Sequence, residues 1–174
     1  MSMDIVYVHP GGEICTPHRM NTGIEVYRST CSKNIKLALS ETLKDNALDL
    51  GIPQKDILSV PRSRSTIEEL YRLREHVLKP HDLGGGYLVS CEKHGQRIRE
   101  IASVELKRYD WEFVPAEEHD CDITTGMRET LATQLDRLIL MFCRIYDRPD
   151  FYQTLKEIGP KRFYNKIMRP LLPR

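Results

Sequence analysis

Two kinds of residue cluster in this sequence have the types and spacing for chemistry. The first is Glu105-Leu106-Lys107, inside the run from Arg97 to Val114. The alternation there predicts a strand, and residues two apart on a strand point to the same face. A carboxylate and an ammonium on one face can address the same phosphate. That phosphate would be bound to a divalent metal ion. The second kind is a set of thiol–imidazole pairs, Cys15-x-x-His18, Cys91-x-x-His94 and His119-x-Cys121. Thiolates and imidazoles at that spacing can share zinc, with Cys91, His94 and Cys121 as the natural set, which makes a zinc-stabilised interaction module one reading. Against it, structural zinc sites bridge two close pairs by a compact loop, and more than seventy residues separate His18 from Cys91.

These residues must be held by elements that the pattern also outlines. Gly84-Gly85-Gly86 opens into Tyr87–Cys91, a turn is expected at Lys93-His94-Gly95, and the return run makes a central β-hairpin. On the return, Ile98, Glu100, Ala102, Val104 and Leu106 share one parity, whereas Tyr109, Trp111 and Phe113 share the other. That switch implies a bulge near Lys107-Arg108. Ile98, Ile101 and Glu105 also fit helical spacing, but Tyr, Trp and Val in the second half favour the strand.

Upstream, Ile5–Val8 reads as a strand running into a long loop from Gly11 to about Gly23. Ile35, Leu39, Leu43, Ala47 and Leu50 predict a helix from Ser32 to Leu50, stopped by Gly51. Asp56–Val60 suggests a short strand. Ser65 and Glu68 have capping-box spacing before a helix that Pro80 ends, so Glu68 already has a structural task. Downstream, an acidic turn from Pro115 to Asp122 feeds an apolar helix from about Thr125 to Tyr146, marked by Met127, Leu131, Leu135, Leu138 and Phe142.

The order helix, hairpin, Glu-x-Lys strand, helix resembles the core of the PD-(D/E)xK nuclease class. That resemblance implies Glu105 and an upstream acid as ligands of Mg or Mn, with Lys107 beside the attacked phosphate. The sequence departs from the class in having no Pro-Asp on the preceding strand. Asp82 takes that place here, with Glu92 and Glu100 as the other available acids. Cross-strand charge pairing on a solvated face is the structural alternative for Glu105 and Lys107.

Composition bounds the remaining possibilities. The chain has 174 residues, 40% hydrophobic and 29% charged, which argues against disorder and suits one domain. Lys plus Arg number 26 against 25 for Asp plus Glu, so contact with nucleic acid needs a local patch. One is present. Lys161, Arg162, Lys166 and Arg169 stand with Phe163 and Tyr164 in a final stretch that has no acid, a pattern suited to tracking phosphates and stacking bases. No stretch reaches the roughly 18 apolar residues of a membrane span, and the start lacks a signal-peptide pattern, which predicts a soluble cytoplasmic or nuclear protein. An odd number of scattered cysteines favours reduced thiols.

The expectation is one α+β domain over residues 1–160, a small sheet around a central hairpin with a helical C-terminal third, followed by a basic segment at 161–174. Its expected role is binding or assembly without catalysis, with nucleic acid, a protein partner or a second copy as the contact and no cofactor. The metal-dependent nuclease is the alternative.

Overall fold

The sheet grows outward from Ile5–Val8 (β1), four consecutive apolar residues that are all buried. A computed structural model describes residues 4–10, 15–30, 34–63 and 66–117. Within them β1 lies between Lys36–Ser40 (β2) and Gly85–Cys91 (β4), with Ile57–Val60 (β3) and Asp110–Ala116 (β5) outside. The strand order is β3-β2-β1-β4-β5, and every pairing is parallel. Parallel neighbours need crossovers, and helices supply them. Cys15–Ser29 (α1) follows β1, and Lys44–Asp49 (α2) follows β2 after a 3-10 turn at Glu41–Leu43. Thr66–Leu73 (α3) follows β3 and continues through a π-helical segment, Arg74–Leu78, into Lys79–His81 (α4). Glu92–Glu105 (α5) joins β4 to β5.

The period of two divides the core into layers. Ile5, Tyr7, Ala38, Val60 and Leu88 face α3 and α5, where they meet Ile67, Leu70, Leu73, Ile98 and Ile101. Val6, Val8, Leu37, Leu39 and Val89 face α1 and α2, against Met20, Ile24 and Ala47. With both faces covered, the inner strands read as unbroken apolar runs.

The expected α+β character holds, with helices packed on one sheet; its connectivity is a series of β–α–β units. The central hairpin is a correction. Residues 92–105 are helix, so β4 and β5 run parallel. Ile98, Ala102 and Leu106 are four apart, a spacing that satisfies both a strand and a helix, but buried Ile101 fits only the helix. The parity switch at Lys107-Arg108 marks the turn between α5 and β5 and is not a bulge. The same ambiguity explains the expected helix from Ser32 to Leu50. Its first part is the buried strand β2, and helical structure begins at Glu41. Most of the expected loop from Gly11 to Gly23 is α1, whose buried Met20, Gly23 and Ile24 lie on one stripe. The strand at 57–60 and the helix from Thr66 match expectation. The helical C-terminal third lies outside the described residues.

Gly85 and Gly86 are part of β4 and not a flexible connection. Gly85 has φ +146°, and a Cβ there would stand 1.9 Å from the Asp110 carbonyl oxygen. At Gly86 it would stand 1.9 Å from that of Ile5, so β4 fits between its neighbours only without side chains there.

Candidate functional site at the strand ends

Three strands change from apolar to polar at their C-terminal ends, on one face. Tyr7 gives way to His9, Ala38 to Ser40 and Leu88 to Ser90. Val8 is in register with Leu39 and with Val89, so the next residues form one row across the sheet, His9 flanked by Ser40 and Ser90. The chain leaves β1 toward β2 and β3 and returns to place β4 on the other side, which makes the β1/β4 boundary a topological switch point. Open parallel sheets bind ligands there, at the carboxyl ends of their strands. α1, α3 and α5 begin at this edge, because each follows a strand that ends at it.

Helices complete the crevice. α3 supplies Thr66 and Glu69, α5 supplies His94 and α1 supplies Arg19; with His9 these are all less than one-tenth exposed. Arg19 Nη1 donates to His9 Nδ1 at 3.1 Å and to the carbonyls of His9 at 3.3 Å and Pro10 at 2.8 Å, and Nη2 donates to Cys91 Sγ at 2.8 Å. Arginine has only donors, so Nδ1 of His9 accepts and the proton of the neutral ring is assigned to Nε2. That nitrogen lies 3.1 Å from Glu69 Oε2, an ion-pair distance, without the alignment of a regular hydrogen bond. The other oxygen of Glu69 accepts from the Tyr7 hydroxyl. Burial, reinforced by the Glu69 carboxylate, pushes the Tyr7 phenol well above its ordinary range and keeps it a donor. The His94 ring lies 4.6 Å from that of His9, centroid to centroid, and its Nε2 is 3.4 Å from Thr66 Oγ1.

Two features single out this crevice. Ser90 Oγ is fully buried and has no hydrogen-bond partner among the described residues. The Arg19 guanidinium meets carbonyls, an imidazole and a thiol, but no carboxylate among the described residues.

No protein-family model matches the chain, and comparisons with curated proteins and with solved structures gave no match.

The Glu-x-Lys residues occupy other ground. Glu105 ends α5, buried, with Arg74 Nη1 3.0 Å from its Oε2, whereas Lys107 is exposed in the following turn. The two do not share a strand face, since one ends a helix and the other stands in a turn, but both line a cleft of about 200 Å³ with Arg74 and Lys79. Asp82 is exposed after α4, in a left-handed conformation with φ 52°. Glu92 opens α5 and pairs with Arg99 at 3.3 Å, and Glu100 lies a further two turns along the same helix. Cys91 and His94 both reach the crevice, but Cys91 bonds Arg19 and His94 faces His9. Cys15 and His18 lie in the first turn of α1. Among the described residues no three of His, Cys, Asp or Glu are placed to hold a metal. His119, Cys121, Lys161, Arg162, Lys166 and Arg169 lie outside the described residues.

Sequence reasoning found Cys91 and His94 here but missed His9, Arg19, Glu69 and Ser90. A signal existed for His9, which continues the Ile5–Tyr7 parity past the last strand residue. Arg19 had none, because its helix was read as loop.

Proposed function

We propose that the chain binds a small molecule bearing a phosphate or carboxylate in the crevice over β1 and β4, with His9 and His94 as proton-carrying groups. The observation that carries this reading is the buried Arg19 charge beside the His9 and His94 rings, which lie 4.6 Å apart. A buried cation is costly unless an anion pairs with it, and an anionic ligand at this edge would do so. The starts of α1, α3 and α5 add their dipoles in the same sense. In this reading Arg19 and Glu69 hold His9, with Arg19 also fixing its tautomer. Imidazole is the side chain suited to exchanging protons near neutral pH, so the arrangement favours acid–base chemistry on the bound molecule. Ser90 Oγ would supply a further hydrogen bond to it.

The test is a set of thermal melts with inorganic phosphate, a phosphate monoester and a dicarboxylate. At least one should raise the melting temperature of the native chain, since a ligand that binds only the folded state stabilises it. The shift should vanish in His94→Ala. No shift with any of them, or one that persists in His94→Ala, would remove the reading. Polyanion contact through Lys161, Arg162, Lys166 and Arg169 is a separate proposal, as is association with a protein partner.

A further inference from the structure

We propose that the groove between α5 and β5 is a surface for single-stranded nucleic acid. It is independent of the strand-end crevice. The groove encloses about 400 Å³ and is lined by Tyr109, Trp111 and Phe113 together with Arg99 and Lys107. A second cleft of about 200 Å³ shares Lys107 and Tyr109 with it and adds Arg108, Lys79 and Glu105, the last paired with Arg74. Cations and aromatic rings therefore lie together on neighbouring clefts that share Lys107 and Tyr109.

Each feature follows from the fold. β5 is the outer strand of the sheet among the described residues, so Trp111 and Phe113, on one face, stay half-buried. Same-face residues of a strand stand about 6.6 Å apart, twice the roughly 3.4 Å rise per base of a stacked strand, so a planar base fits the interval. The acids of β5, Asp110 and Glu112, hold the alternate positions and so belong to the opposite face. Arg99 already stacks on the Phe113 ring at 4.5 Å, whereas Trp111 and Tyr109 pack partly against the core and line the groove with their remaining surface. Lys107 and Arg108 are exposed and meet no carboxylate among the described residues. The indole Nε1 of Trp111 is buried and has no hydrogen-bond partner among them. Exposed Lys107 and Arg108 beside half-exposed rings suit a ligand with phosphates and planar bases, and a duplex, whose bases are already stacked, cannot use the rings.

Trp111 is the one tryptophan in the chain, so its fluorescence reports on this groove directly. The full chain is titrated with a single-stranded DNA of about ten nucleotides, a duplex of equal length and polyglutamate. The single strand should quench Trp111 saturably, the other two should not, and affinity should fall about sevenfold from 50 to 200 mM salt if Lys107 and Arg108 contact phosphates. The double substitution Lys107→Glu, Arg108→Glu, at exposed positions, should leave the melting temperature unchanged and weaken binding at least tenfold. Absence of quenching, or quenching unaffected by the double substitution, would overturn the proposal. So would equal quenching by polyglutamate, which would mark an acidic protein as the partner.

Discussion

His9 and His94 come from different β–α units, yet their ring centroids lie 4.6 Å apart. The contact exists because β1 and β4 are neighbours in register, so the residue after β1 and the first turn of α5 meet above the same strand ends. Glu69 and Thr66 arrive from a third unit, α3. No short stretch of chain contains this site; the sheet order assembles it.

Tyr7 is tied to this site through Glu69. Tyr7→Phe leaves a buried carboxylate oxygen without its donor, and unfolding in urea should show a loss of about 1–3 kcal/mol at neutral pH. The alkaline behaviour should change too. The raised pKa of Tyr7 means that the unfolded chain releases this proton from about pH 10 while the folded chain retains it, so the native protein loses stability as pH rises above that point. The slope of stability against pH above 10 should be shallower in Tyr7→Phe, and an identical slope would contradict the coupling.

Gly86 and Gly51 should respond differently to alanine. At Gly86 a Cβ meets the Ile5 carbonyl oxygen at 1.9 Å, so two central strands must separate, and a cost above about 3 kcal/mol is expected. Gly51 has φ +80° and open space around it, so Gly51→Ala should cost only the left-handed strain of about 1–2 kcal/mol. Comparison of the two denaturation midpoints checks this, and equal losses would contradict the close approach.

The layout of the sheet was partly legible in the sequence. β1 and β3 were bounded by prolines and glycines, and α3 carried the apolar pair Ile67 and Leu70 at helical spacing, so local chemistry sufficed. β2 and α5 were not legible, because Ile35 and Leu39, like Ile98 and Ala102, are four apart and that step suits either period. Parallel pairing leaves no local mark, since the partner of β4 is β1, far off in sequence. The site suffered most. Its residues sit just beyond strand ends that could be placed only after the pairing was known, and the motif that stood out locally, Glu105-Leu106-Lys107, spans a helix end and a turn.

Acid should weaken the link between β2 and β3. A hydrogen bond from Lys36 Nζ at 2.8 Å lowers the Asp56 pKa, with the Tyr27 hydroxyl adding to it and burial opposing. A depressed carboxylate contributes stability that is fully present above its ordinary value, near 4, and is lost as pH falls through the lowered value. Melts between pH 5 and 2 should therefore fall less steeply in Lys36→Met than in the native chain. Parallel curves would show that the pair contributes nothing.

The basic C-terminal segment can be separated from the α5/β5 groove. If Lys161, Arg162, Lys166 and Arg169 neutralise phosphates, removal of residues 161–174 should flatten the salt dependence of nucleic-acid binding between about 50 and 200 mM while Trp111 is still quenched. Deletion that leaves the salt slope unchanged would end the phosphate role proposed for that segment.

The most direct measurement of the central claim is a nitrogen-15 and proton NMR titration of the six histidine side chains with inorganic phosphate, at fixed pH near 6.5. Binding in the strand-end crevice predicts that the His9 and His94 resonances move together and saturate with one dissociation constant. The same titration of Ser90→Ala should give a weaker constant and the same two resonances. If His9 and His94 stay in place while phosphate is raised to tens of millimolar, or if the histidines move only in proportion to added salt, the crevice does not bind the anion and the account is contradicted.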